Sequence, residues 1–143
     1  MQLSTRFVFL FTRISLFIIY FWFGILKVIG DSPAEVLVHH LCAITVRPFI
    51  DDAYFIPLFG LFEMLLGIAL LIPGITKISI QLMWIHIALT FLPLILLPQD
   101  SWQNILIPTM VGQYMIKNLA LLSLSFLLYS ESLKFRNKTS RVK

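Results

Sequence analysis

A chain of 143 residues has the length of one domain. Its 59% hydrophobic and 13% charged residues, with a mean hydropathy of +0.91, depart from the roughly 25% charge of soluble domains, which excludes an ordinary water-soluble protein and indicates one built within a bilayer. The net charge of +4 is no nucleic-acid signature: five of the eleven basic residues, Lys134, Arg136, Lys138, Arg141 and Lys143, cluster at the C-terminal end, where membrane topology explains them better.

Residues 7–28 are apolar apart from Arg13 and Lys27 and are long enough for a first transmembrane helix. A cleavable signal peptide would have a shorter apolar region followed by small residues, and neither condition holds. Arg13, Tyr20, Gly24 and Lys27 fall on one helical stripe, giving this span a polar inward face. Gly30 and Pro33 break the helix, and Asp31 or Ser32 can cap a short helix that opens S-P-A-E and ends near Ala43. That helix is too short to span and is expected at the membrane interface. It carries His39, His40 and Cys42. Adjacent histidines project about 100° apart on a helix and match no zinc-ligand spacing, so interfacial histidines are expected rather than a metal site. The single cysteine excludes an intrachain disulfide.

A polar connection with Arg47-Pro48 and Asp51-Asp52 leads to a second span over 56–72, ended by Pro73-Gly74. The stretch F-G-L-F-E-M-L-L-G-I-A-L-L-I-P-G at 59–74 places Gly60, Glu63, Gly67 and Gly74 on one narrow face. Glycines admit a close neighbouring backbone, so Glu63 is expected to meet a helix and not lipid. A lone carboxylate at the bilayer centre costs about 2.5 kcal/mol or more, so Glu63 needs a partner, either as a structural ion pair or as part of a site. A short turn with Lys77 leads into a third span over 78–97, antiparallel to the second, with Ser79, Met83, His86, Thr90 and Pro93 on one inward stripe.

The loop over 98–108 carries Trp102, an interfacial residue type. The fourth span begins near Val111 with unusually polar first turns: Gln113, Lys117 and Ala120 share a stripe, flanked by Tyr114, Asn118 and Ser125. Residues 1–130 then form an all-α, four-helix transmembrane bundle with a short interfacial helix in its first outer loop. Residues 131–143 form a basic tail with too little apolar material to fold alone. No internal repeat, phosphate-binding loop, catalytic serine motif or nucleic-acid motif occurs.

Lys and Arg outside the spans lie at Arg6, Lys77 and the tail, against Arg47 alone in the other two loops. The positive-inside rule puts both termini in the cytoplasm. Lys27 then ends the first span at the outer face, with Glu63 about 10 Å and Lys117 about 9 Å inside the outer ends of their spans. Lys117 is the expected partner of Glu63, with Lys27 able to join them or snorkel outward. His86 and Thr90 approach from the third span, and an outer-half polar cavity follows. Arg13 is expected to find a carbonyl or lipid phosphate at the inner side.

R-I-S-L-F-I-I-Y-F-W-F-G-I-L-K at 13–27, S-P-A-E at 32–35, G-x-x-E-x-x-x-G at 60–67, H-I-A-L-T-F-L-P-L-I-L-L-P at 86–98 and P-T-M-V-G-Q-Y-M-I-K-N-L at 108–119 together resemble the DoxX-like family of small bacterial integral membrane proteins. Similar sequences commonly carry an acidic residue before G-Q-Y, where this chain has Val111. The resemblance implies a four-helix bundle in the bacterial cytoplasmic membrane. It also implies an association with thiosulfate oxidation coupled to quinone reduction, or with oxidative-stress complexes. The expected function is therefore a membrane subunit of a redox system, with Glu63, His86 and Lys117 lining a cavity for a quinone headgroup or small anion. No haem, flavin or iron–sulfur pattern is present, so a partner subunit would supply the electrons. The alternatives are a non-enzymatic scaffold subunit locked by its ion pair and a small-solute transporter.

Overall fold

Helix ends explain most of the layout. The computed structural model describes residues 4–140, with side chains through residue 133. Helix α1 (Thr5–Ile29) stops at Gly30, whose φ of 79° is left-handed and whose N–H bonds back to the Leu26 carbonyl, a glycine C-terminal cap. Helix α2 (Glu35–Thr45) begins later than S-P-A-E suggests. Ser32 Oγ accepts the Ala34 N–H at 3.3 Å within the preceding turn and does not cap the helix. Helix α3 (Asp52–Leu71) begins earlier than expected because Asp51 caps it, accepting the Ala53 N–H at 2.9 Å, so Pro57, second in the expected span over 56–72, is the sixth residue of the helix. It therefore lies past the first turn and leaves the Ala53 carbonyl without an intrahelical N–H partner close to the loop end of α3.

A single 3₁₀ turn (Pro73–Ile75) joins α3 to α4 (Thr76–Leu96). The next segment folds more than a loop was expected to: α5 (Pro98–Ser101) leads into an antiparallel hairpin of β1 (Trp102–Asn104) and β2 (Ile107–Pro108). Side chains fasten it to α4, with Ser101 Oγ donating to the Pro93 carbonyl and Trp102 Nε1 to that of Leu94, each at 2.9 Å. Helix α6 (Met110–Ser140) runs past Tyr129 without a break. Adding residues to an established helix is cheap, so the polar tail continues it without an apolar core of its own. The basic side chains expected beyond residue 133 lie outside the described ones.

The result is an all-α four-helix bundle, and α1, α3, α4 and α6 each contain a segment long and apolar enough to cross a membrane. The protein is a multi-pass membrane protein. Its outward residues, among them Trp22, Leu65, Ile85 and Ile95, are large and apolar, as a lipid-facing surface requires. The closest packing joins α1 to α3, followed by α4 to α6; α3 and α4, consecutive and antiparallel, pack less tightly, and the α1–α6 seam is the least packed of the four. Leu16, Tyr20, Leu66, Leu70, Ile80, Met83, Ile87 and Leu128 form the core. One end of the bundle carries α2 and the hairpin (the loop end), and the other carries the 3₁₀ turn (the turn end).

Candidate functional site

The α1–α3 contact sets the site. A Cβ added to Gly24 or to Gly60 would lie 2.6 Å from the other residue's carbonyl oxygen, and one added to Gly67 would lie 3.1 Å from the Phe21 nitrogen. These helices touch backbone to backbone, as small residues allow. Gly74 takes no part, since a Cβ there would meet nothing. At Gly60 the missing side chain also makes room for Lys27, whose Cβ would lie 2.8 Å from an added Cβ. The lysine stem runs over that glycine towards Glu63, one turn further along α3.

Lys27 Nζ meets Glu63 Oε2 at 2.6 Å, and His86 Nε2 meets Glu63 Oε1 at 2.8 Å. His86 Nδ1 lies 3.3 Å from the Tyr20 hydroxyl. All four are buried: Lys27 is 8% exposed, Glu63 4%, His86 7% and Tyr20 3%. With His86 neutral, one hydrogen assignment satisfies the whole chain. Tyr20 O–H donates to Nδ1, Nε2–H donates to Glu63, and the lysine ammonium donates to the other carboxylate oxygen. The network is then electrically neutral overall, the state in which a buried pair is tolerated. Phe59 stacks on His86 at 5.3 Å and Tyr20 meets it edge-on at 5.1 Å, fixing the ring.

Glu63 thus finds Lys27 and His86, not Lys117. Because α3 starts at Asp52, Glu63 lies about 16 Å along it, near mid-depth. On α6, Gln113, Tyr114 and Lys117 are exposed, and the Lys117 ammonium sits 5.0 Å from the centre of the Tyr114 ring. None of these three enters a cavity with Glu63. Thr90 and Asn118 do meet, the amide donating to the Thr90 hydroxyl at 3.0 Å and tying α4 to α6. Tyr20, placed on the inward stripe of α1, belongs to the site; the hydrogen bond that recruits it depends on where α4 sets His86, which spacing along α1 does not encode. Arg13 finds the carbonyl expected of it, donating to Leu70 O at 2.7 Å and to Thr76 Oγ1 at 2.8 Å.

At the loop end a cleft of about 200 Å³ is lined by Lys27, Glu35, His39, Asp52 and apolar neighbours. His39 Nδ1 lies 3.1 Å from Asp52 Oδ2, and its Nε2 lies 3.6 Å from Glu35. The Asp52 hydrogen bond is the first cause that holds His39 above the ordinary histidine value. His40 turns the other way, to Asp100 at 2.9 Å, so the two histidines fasten α2 to different neighbours. Burial pushes the Cys42 thiol up, away from thiolate reactivity.

A quinone headgroup does not fit these residues. It would need donors facing an open slot, whereas both nitrogens of His86, the Tyr20 hydroxyl and the Lys27 ammonium are engaged within the network, and the cleft presents the Glu35 and Asp52 carboxylates. Compared with protein-family models, curated proteins and solved structures, the chain matches none.

Proposed function

We propose that this protein is a DoxX-like membrane subunit of a redox or oxidative-stress system in the bacterial cytoplasmic membrane, with both termini cytoplasmic and the loop end outside. Its own contribution is a proton-handling network, and a partner subunit carries the electrons. The observation that supports this reading is the chain Lys27–Glu63–His86–Tyr20 buried between three helices. Such a constellation holds a carboxylate between two donors and passes a proton along hydrogen bonds already in place. Lys27 also lines the loop-end cleft. A proton arriving on Glu63 weakens its hold on the ammonium, and Lys27 turns towards the cleft, linking protonation at mid-depth to the outer face.

The test is purification from the native membrane in mild detergent. A redox-active protein should copurify with the wild type and with the Glu63→Gln, Lys27→Met double variant, while partner turnover falls and changes its pH profile in that variant. Absence of any redox-active partner would overturn the proposal. A second reading, a non-enzymatic scaffold, is favoured by the backbone contact at Gly24 and Gly60, which makes the ion pair part of a lock. Full turnover in the double variant would select it. A small-solute transporter is the remaining alternative, and uptake by reconstituted vesicles would reveal it.

A further inference from the structure

Helix α2 is held to the bundle chiefly by polar side chains. Cys42 is its one buried residue, and residues 30–34 and 46–51 join it to α1 and α3 without helix or strand. Its two histidines grip different neighbours. His40 reaches Asp100 at 2.9 Å, and His39 reaches Asp52 of α3 at 3.1 Å while its other nitrogen stands 3.6 Å from Glu35, one turn back on α2. Glu35, His39 and Asp52 line the loop-end cleft together with Lys27 of α1.

Asp52 makes this arrangement depend on a proton. The residue is 7% exposed, and its Oδ1 has no hydrogen-bond partner among the described residues, so the carboxylate relies on the bond from His39 to its other oxygen. An imidazolium has an N–H on each nitrogen: it donates to Asp52, and its charge also balances Glu35. A neutral ring has a single N–H. Kept on Nδ1, it turns a lone pair towards Glu35, and α2 and α3 then bring two carboxylates to one cleft with no cation between them. Kept on Nε2, it leaves the buried Asp52 with neither oxygen bonded, the costly state for a carboxylate. Both tautomers favour a form in which α2 moves off and water reaches Asp52. The charged groups around the ring are Glu35 on α2, Asp52 on α3 and Lys27 on α1. Lys27 is engaged with Glu63 at 2.6 Å and does not replace the imidazolium. Asp100 of α5 faces His40 instead.

We propose that α2 is a pH-operated lid: the His39 imidazolium clasps it to Asp52 beside the cleft, and loss of that proton lets it swing out and admits water to Lys27 and its pair with Glu63. The lid shuts on the acid side. It opens as pH rises through the His39 value, which the Asp52 hydrogen bond holds above the ordinary one. Such a local opening goes beyond the redox reading and does not depend on which partner the protein serves.

Cys42, buried and the single cysteine of the chain, reports the motion. The purified protein in detergent is labelled with a maleimide at steps from about pH 5 to about pH 9, either side of the ordinary histidine value. Each rate is divided by that of the chain denatured in SDS at the same pH, which removes the thiol's own titration. The ratio should rise about tenfold or more, as loss of a hydrogen bond to a charged group implies, through the midpoint that nuclear magnetic resonance gives for His39. His39→Gln should hold the ratio high at every pH, and Asp52→Asn should flatten the profile. His40→Gln, which breaks only the neighbouring pair, should leave the midpoint in place. A flat ratio in the wild type, a midpoint that follows His40, or a profile unchanged by Asp52→Asn would overturn the inference. The wild-type profile alone can do so, whether or not a variant folds. A working lid in a protein without a redox partner ends the redox reading and leaves this inference standing.

Discussion

At Glu63 the requirement for a partner was legible in the sequence, and the partner was not. One acidic residue in an apolar run needs compensation whatever the fold, but choosing between Lys27 and Lys117 depended on depth, and depth depended on Asp51 capping α3, which sets Pro57 past its first turn. The two ends of the pair differ in what they can do when stranded. Lys27→Met leaves Glu63 at mid-depth with no way out and should cost about 3–5 kcal/mol, as broken buried pairs do. Glu63→Gln should cost less, because the lysine stem can extend into the cleft it already lines. Thermal unfolding in detergent of both single variants and the double variant measures this, and losses additive within about 0.5 kcal/mol would refute the coupling. His39 yields a separate prediction. Its value is raised in the folded protein by Asp52, so its contribution is complete below the unfolded value of about 6.5 and is lost as pH rises through the folded value. Nuclear magnetic resonance titration should place its midpoint above that of an unfolded histidine, and Asp52→Asn should bring it back down; a wild-type midpoint no higher than the unfolded one refutes the assignment.

At the scale of elements, apolar runs located the four long helices, and stripes located the inward faces of α1 and α4, since Tyr20, Gly24 and Lys27 and Ser79, Met83, His86 and Pro93 are buried; the stripe on α6 failed, because Gln113, Lys117 and Ala120 are all exposed. The hairpin at 102–108 was not legible. It has no Asn-Gly or Asp-Gly turn, its turn places Leu106 at φ 63°, and it is held by bonds to carbonyls of α4 that spacing along the chain does not reveal. The glycine face was half right, because Gly60 and Gly67 meet α1 while Gly74 lies in the 3₁₀ turn. Gly60→Ala must push the Gly24 carbonyl and the Lys27 stem aside, and it should destabilise by about 1–3 kcal/mol, the usual range for overpacking. Gly74→Ala should change stability by less than about 0.5 kcal/mol, as surface substitutions do. Equal losses at the two positions, measured by thermal unfolding, would remove the close crossing from the account.

Over the whole molecule, the four spans among the described residues place both ends of the helical bundle on one side, and the distribution of Lys and Arg is what supports the proposal that this side is the cytoplasm. A reporter fused after Lys143 should be active only as a cytoplasmic reporter, and one inserted at Ile105 in the hairpin only as an external one. The opposite pattern would invert the bundle and move the cleft and α2 to the cytoplasmic half. The overall architecture was legible because bilayer thickness and backbone hydrogen bonding leave few ways for such a chain to fold. The pairing of α1 with α3, in preference to α3 with α4, was less legible, because the close approach of Gly24 to Gly60 links segments distant along the chain.

That pairing also bears on how the protein is made. The chain is synthesised from its N-terminus, so α1 reaches the bilayer first with Lys27 near its end, where an ammonium can rest among headgroups. Glu63 arrives with the next long span and finds a counter-charge already present; His86 comes last, after the carboxylate has been neutralised. On this order of synthesis the first span should help the second to insert, and Lys27→Leu should lower the fraction of nascent chains that integrate residues 52–71, as scored by glycosylation mapping. Equal integration with and without Lys27 would show that Glu63 crosses unaided.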